Sequence, residues 1–310
     1  MTPLVSILVP AFNAAPWIAA SLESALGQTH AQIELIVVDD GSTDDTLAHA
    51  RAFTGRGVRV VSQSNAGAAA ARNHALRLAR GEFIQFLDAD DLLAPDKIER
   101  QLRALAEAPP DTLAGGEWGR FTDDPAAAVF HPEAVYRATT GVEFLQLHYE
   151  TGSMMQPGGW LAPRTLLDCA GPWDETLSLN DDGEYFARVM LAASRIVFTP
   201  GACCFYRAAS GSLSRRRDPR AFASLHRSVD LTTRHLLAAD SSPRSRAAAA
   251  HAWKWTAFEL HPGSASLSRD AWNRCLALGG SDRPFPAGPR FQLLARLFGW
   301  RLASRLRGSR

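Results

Sequence analysis

The sequence predicts an α/β fold with a mainly parallel central sheet flanked by helices, plus a C-terminal helical extension. Three observations predict it. Short, continuously apolar runs recur through the N-terminal third, stretches of helical length separate them, and after Arg207 the pattern turns wholly helical. Strands joined across helices of that length take right-handed crossovers, which sets them parallel with both faces covered.

Val5 to Val9 reads as the first strand, apolar but for Ser6 as a strand buried on both faces should be. Pro16 suits the first turn of a helix running to about Leu26. Ile33 to Val38 is the second strand, closed by the turn cluster Asp39-Asp40-Gly41-Ser42. Thr43 or Asp44 can cap a helix through Phe53, and Val58 to Val61 is the third strand. Asn65-Ala66-Gly67 opens an alanine-rich helix to about Leu78. Phe83 to Leu87 is the fourth strand, ending in Asp88-Ala89-Asp90-Asp91, and Pro95 starts a helix to about Ala106. From Leu113 to Arg207 the pattern is less regular: a strand at Gly-Gly-Trp160, a helix from Asp181 to Ala193, and short strands near Ile196 and Phe205. Four helices follow, about Asp218 to Ala239, Pro243 to Leu260, Ser268 to Leu278 and Pro289 to Leu306, with a hinge expected at Ser210 to Arg217. The expected division is an α/β domain over 1–210, with one half to about 110 and a second over about 111–210, and a basic helical extension over 211–310.

Composition narrows the classes. With 310 residues, 46% hydrophobic and 21% charged, this is ordinary globular chemistry. A formal net charge of +1 provides no overall field toward nucleic acid. Cys169, Cys203, Cys204 and Cys275 lack the paired spacing of a zinc site and read as reduced thiols of a cytosolic protein. The N-terminus reads as a strand, and no apolar run approaches the ~18 residues that span a bilayer. The expectation is a soluble cytoplasmic protein, at most peripheral at the inner face of the membrane.

In open α/β sheets the ligand crevice lies beyond the carboxyl ends of the strands. Pro10 to Asn13, Asp39-Asp40, Asn65 and Asp88 to Asp91 all fall at such ends. Asp88 and Asp90 are hard oxygen donors of the kind that hold Mg2+ or Mn2+ with positions left for substrate phosphates; the plainer reading is a cap before the next helix. One carboxylate of Asp39-Asp40, Asp40 preferred, can accept from the N3–H of uracil or thymine, or simply form an Asx turn. Arg72 can reach phosphate or a base edge, or be an ordinary surface arginine. Asn180-Asp181-Asp182-Gly183-Glu184 places three acids in a helix's first turn, where the dipole favours them. That is more than capping requires. One of them, Asp182 first and Asp181 second, can take a proton from an attacking hydroxyl.

These motifs, in this order, resemble family 2 glycosyltransferases. Ser-Ile-Leu-Val-Pro-Ala-Phe-Asn, Ser-Ala-Leu-Gly-Gln-Thr and Glu-Leu-Ile-Val-Val-Asp-Asp-Gly-Ser-Thr-Asp form the opening. Asn65-Ala66-Gly67 with Ala71-Arg72-Asn73, then Gly81-Glu82-Phe83-Ile84 and Asp88-Ala89-Asp90-Asp91 continue it. Gly171-Pro172-Trp173-Asp174-Glu175 and Asp181-Asp182 resemble the downstream acidic signature, so the likeness spans about Val5 to Arg207. The resemblance implies a GT-A nucleotide-sugar-binding fold and metal-dependent inverting transfer. In it Pro10, Ala11, Phe12, Asn13, Asp40, Asn65, Arg72 and Asp88 bind the nucleotide, Asp88 and Asp90 the metal, and Asp182 is the base. The family more often has Glu-Asp where this chain has Asp181-Asp182, which leaves the role of Asp181 less defined than that of Asp182. Gln-x-x-Arg-Trp and membrane spans, usual in the family's processive synthases, are absent, which favours single-sugar addition.

Trp160, Gln156 and Asp181, with Met154 and Met155, are candidate acceptor contacts; a Trp beside two glycines is as often core. Tyr206 and Arg207 can close over the diphosphate or simply pack. The acceptor would be a glycan, a lipid-linked glycan or another hydroxyl compound, in bacterial surface glycan or glycoconjugate assembly. The last helix mixes Arg290, Arg296, Arg301, Arg305 and Arg307 with Phe291, Leu294, Leu297, Phe298, Trp300 and Leu302. Packing on the catalytic domain or a homodimer contact is expected ahead of peripheral membrane contact. A nucleotidyltransferase would want a Gly-rich phosphate loop near the N-terminus, which Pro10 to Pro16 lacks. The non-enzyme alternative is a degenerate nucleotide-sugar-binding or scaffold protein.

Overall fold

The computed structural model describes residues 2–208 and 217–307, with side chains described to residue 304. The hinge expected at Ser210 to Arg217 lies outside the described residues except for Arg217. Strands β1 (Val5–Ala11), β2 (Ile33–Asp39), β3 (Arg59–Ser62) and β4 (Phe83–Phe86) run parallel in the order β3-β2-β1-β4. They are linked by α1 (Ile18–Leu26), α2 (Thr46–Arg51) and α3 (Ala68–Leu78), and α4 (Lys97–Ala106) follows. Alternate residues of β1 enter different cores. Ile7 and Val9 pack with Ile18 and Leu22 of α1, while Leu8 joins Ile36, Phe86 and the alanines of α3. That two-sided burial is why the run, apart from the buried Ser6, is apolar on both faces.

Beyond β4 the sheet is mixed. β5 (Leu92–Leu93), β6 (Thr112–Phe121), β7 (Val129–Phe130), β8 (Trp160–Pro163) and β9 (Arg195–Arg207) complete the order β3-β2-β1-β4-β8-β6-β9-β5, with β7 on β6. β8 is antiparallel to both β4 and β6, and β5 to β9, whereas β6 and β9 are parallel. The sheet is thus mainly parallel, as expected: the first four strands and β6 with β9 pair in parallel, and the antiparallel pairings are short. The two short strands expected near Ile196 and Phe205 are one, β9, and β6 had no counterpart in the sequence reading. Its glycines hid it. They are required by the pairing: a Cβ on Gly116 would lie 2.1 Å from the Ala202 carbonyl oxygen, and one on Gly119 would meet the Phe130 ring at 2.6 Å.

The remaining helices are α5 (Gly141–Thr151), α6 (Arg164–Ala170), α7 (Asp181–Ala192), α8 (Pro219–Ala239), α9 (Pro243–Leu260), α10 (Ala265–Ala277), α11 (Pro289–Phe298) and α12 (Trp300–Arg307). Val229, Leu236, Trp253 and Phe258 share one core with Tyr185, Phe186 and Trp160, so the C-terminal helices pack on the sheet-bearing part. The single last helix expected from the sequence is two, broken at Gly299 with φ +80°. Among the described residues no helix is long and apolar enough to cross a membrane.

Candidate active site

The rim formed by the strand ends starts where β1 ends. Asn13 takes a left-handed φ of 49°, tolerable for asparagine. Its backbone N–H donates to Ser42 Oγ at 3.0 Å and its Oδ1 accepts from Thr43 N–H at 2.8 Å. Asp40 N–H donates to the Ala11 carbonyl at 2.8 Å, which ties the two strand ends together. Phe12 stands 44% exposed on this rim, an aromatic face open to a base. Beside it the Asp40 carboxylate accepts from Gln63 Nε2 and from the N–H groups of Ala66 and Gly67, at 2.8, 2.9 and 2.8 Å. Asn65 Nδ2 donates to the Asp40 carbonyl at 2.9 Å. Asp40 thus anchors the entry to α3. Asp39 is equally buried, accepts from Ser62 Oγ at 3.0 Å, and keeps Oδ1 unpartnered. Of the two aspartates, Asp39 has more unmet hydrogen-bonding capacity, against the sequence preference for Asp40.

Arg72 organises the acidic centre. It is 6% exposed, its guanidinium lies 4.5 Å from the Trp173 ring centroid, and its terminal nitrogens donate to two carboxylates. One bond runs to Asp88 Oδ1 at 2.8 Å, the other to Asp181 Oδ2 at 2.7 Å. It is no surface arginine: its terminal nitrogens are engaged by two of the protein's own carboxylates. Only Nε is left, buried without a partner. The neighbouring Asn73 donates to the Trp173 carbonyl and to Glu175, and accepts from Trp173 N–H at 2.9 Å. Two motifs a hundred residues apart are thereby interlocked.

Helix α7 is braced from both sides. Trp173 stacks on Tyr185 of α7 at 4.0 Å and 9° between planes. Asn180, left-handed at φ 59°, donates from Nδ2 to Ser228 Oγ of α8, and Ser228 Oγ donates to the Asn180 carbonyl, both at 2.7 Å. Ser224 Oγ accepts from Ser178 and Leu179 N–H at 2.8 and 2.9 Å. Of Trp173, Tyr185, Ser224 and Ser228, only the first entered the sequence reading, as part of a motif. The Gly-Pro-Trp-Asp-Glu motif pointed at the first; nothing local marks the two serines. At this helix start, half-buried Asp182 has its carboxyl pushed up to about 6, by burial first and then by the Asp181 charge, with Arg72 opposing.

Asp90 is likewise pushed up to about 6, by burial and then by the charge of Asp88. Two close carboxylates whose charges oppose each other suit a divalent ion held by one or two protein carboxylates plus substrate phosphates. Among the described residues no group of three His, Cys, Asp or Glu side chains forms a complete metal cage. Asp91 is fully buried and accepts from Arg207 N–H at 2.8 Å; burial, then Asp90 and Asp88, holds its carboxyl well above the usual range. Arg207 itself donates to the carbonyls of Asp90 and Thr122, both at 2.9 Å, and covers the Phe121 ring. It holds the acidic turn from behind, and Tyr206 packs edge-on against Trp118.

Two acceptor candidates are corrected by burial. Trp160 is 1% exposed, packed against Phe144 and Phe186, and offers no face to a ligand. Gln156 is 2% exposed; its Nε2 donates to Cys204 Sγ and its Oε1 accepts from Gly158 N–H. Asp181 is engaged with Arg72. Met154 remains exposed. Behind this segment lies a buried network that sequence reading missed. Lys97 Nζ donates to Gln85 Oε1 and Gln101 Oε1 at 2.5 Å each, and those glutamines donate to the carbonyls of Gly158 and Gly159 at 3.0 and 2.9 Å. Burial pulls the Lys97 ammonium down to about 7.

A family profile described as Glycosyl transferase family 2 matches residues 6–163. Glycosyltransferase GlyG of Streptococcus pneumoniae is 31% identical over 231 residues, 69% of this chain and 74% of GlyG. The chain belongs to glycosyltransferase family 2. Several other curated relatives match about a third of this family 2 chain, which spans 11% to 43% of their length. In fold it is similar to S. aureus TarS residues 1–349, solved in complex with UDP-GlcNAc. That match has TM-score 0.71 and 18% identity, and covers 98% of this chain and 91% of that one. A mannosyltransferase from Pyrobaculum calidifontis, PcManGT in complex with GDP-Man and Mn2+, aligns at TM-score 0.54 and 19% identity over 99% of this chain and 87% of its own. The GT-A arrangement with C-terminal helices is shared.

Proposed function

We propose that this family 2 chain transfers one sugar from a nucleoside-diphosphate donor, UDP or dTDP favoured, to an acceptor hydroxyl with inversion at the anomeric carbon. The observation that carries it is Arg72 joining Asp88, at the end of β4, to Asp181, at the start of α7. That bridge supports a single site shared by the diphosphate-side acid and the base. Pro10 to Asn13, with the Asp39-Asp40 turn and Asn65, would line the nucleoside, Phe12 stacking and an aspartate accepting from the base edge.

Asp88 and Asp90 would hold Mn2+ or Mg2+, which when bound supplies Lewis-acid neutralisation of the departing diphosphate. Asp182 takes the acceptor's hydroxyl proton as the acceptor oxygen forms its bond to the anomeric carbon. The bond from that carbon to the diphosphate oxygen breaks, and its electron pair leaves with the nucleotide. A carboxyl near 6 is ionised at neutral pH yet more basic than an ordinary aspartate, as a general base should be. Charge on Asp181 and Asp88 raises that basicity, while Arg72 limits the rise.

The acceptor is proposed to be a glycan, lipid-linked glycan or related hydroxyl compound of bacterial surface glycan assembly, at the cytoplasmic side. A thermal-shift screen of nucleotide sugars with Mn2+, followed by NMR of the product, tests the reading. Stabilisation by a UDP or dTDP sugar and a product of inverted configuration are expected; retained configuration refutes the mechanism. Donor binding without transfer or hydrolysis would favour a non-catalytic binding or scaffold protein.

A further inference from the structure

Helices α11 and α12 use only part of their apolar content in packing. Phe291 and Trp300 are buried, the first against Phe258 and Phe285, the second against Trp272 and Phe285. Leu293, Leu297, Phe298 and Leu302 are left 60%, 65%, 59% and 46% exposed. Most of the protein's other large apolar side chains are covered, so four within ten positions form a patch, not scatter. At 100° per residue Arg290, Leu293, Arg296 and Leu297 fall on one arc of about 120° facing away from Phe291.

The charge on this segment has one sign. From Arg283 to Arg310 the sequence carries seven arginines and no aspartate or glutamate. Arg290, Arg296 and Arg301 are exposed around the leucines. A second copy of the chain meeting this face about a two-fold axis would set arginine against arginine, since such contacts use the same patch on both sides. An anionic lipid surface offers complementary charge at the rim and hydrocarbon for the leucines and phenylalanine. The break at Gly299 keeps Phe298 on the exposed side while Trp300 turns inward.

We propose that the α11–α12 face docks the protein on an anionic membrane surface, lying in the headgroup region. This goes beyond the transfer reaction and does not depend on it. Its place beside the transfer reading is nonetheless coherent, because a lipid-linked acceptor would be presented at such a surface.

The test is flotation of the full chain with phosphatidylglycerol-containing vesicles against pure phosphatidylcholine vesicles. Binding to the anionic vesicles, weakened by added salt, is expected. Each Arg→Gln change at Arg290, Arg296 or Arg301 should lower the partition coefficient by about fivefold. Leu297→Ser with Phe298→Ser should lower it further, with an unchanged melting temperature because both side chains are exposed. Equal binding to both vesicle types, or the variants floating like the parent, overturns the proposal. So does a concentration-dependent dimer in light scattering that the serine variant abolishes while vesicle binding stays absent.

Discussion

Arg72 on α3 grips Asp181 on α7 at 2.7 Å across 109 residues of sequence, while its other terminal nitrogen holds Asp88 at 2.8 Å. A guanidinium that satisfies two carboxylates with a fixed fork does what a lysine cannot. Arg72→Lys should keep the fold but cut kcat by at least about tenfold, because one carboxylate loses its partner. Arg72→Met should in addition destabilise the protein by roughly 3 kcal/mol, leaving the two acids unpaired in a poorly solvated centre. Circular-dichroism melts and steady-state transfer rates check both.

The acidic centre makes a pH prediction. Folding raises the carboxyl of Asp182 and that of Asp90 to about 6, above their unfolded values. The folded state therefore binds more protons between about pH 4 and 6, and stability from these groups grows as pH falls through that window. Activity moves the other way, since the base must be ionised: kcat/KM should fall as pH drops below about 6. A pH–rate profile and melts over the same range check the opposed trends.

Lys97 provides a second, separable signature. Its ammonium is lowered from 10.5 to about 7, so between those values the unfolded chain binds more protons and stability should rise with pH. Lys97→Met removes that rise. It should also cost about 2 kcal/mol, because Gln85 and Gln101 each lose a donor in the core. Melting curves at several pH values between neutral and alkaline distinguish the two effects.

The proposed holding of a divalent ion by Asp88 and Asp90 makes a further prediction. Excess chelator should abolish transfer, and Mn2+ or Mg2+ should restore it. Asp90→Asn should raise the metal concentration needed by at least about tenfold, while Asp91→Asn, buried behind the turn, should act mainly on stability. Metal titrations of initial rates are the measurement; full activity in chelator refutes the assignment.

Much of this was legible in the sequence. The two-sided burial of β1, β2 and β4 favours runs that are apolar apart from Ser6, Glu34 and Gln85, and parallel strands place their ends on one rim, so the clusters at those ends were legible from the order of strands and helices. β6 could not, because its glycines serve close approach to Ala202 and Phe130, a property of the partners and not of the segment. Trp160 and Gln156 were misread as acceptor contacts because their burial is decided by α5, α7 and β9, far away in sequence. The role of Arg72 was open for the same reason. Its two partners become neighbours only when Asn73 and Trp173 interlock the helices.

The central claim is that Asp182 takes the acceptor proton at the site where the donor is bound. Asp182→Asn, assayed for transfer and titrated calorimetrically with nucleotide sugar and Mn2+, tests it most directly. Loss of transfer by about 10²-fold or more, with donor affinity within about threefold of the parent, is predicted. Transfer at the parental rate, or loss of donor binding in step with activity, would contradict it.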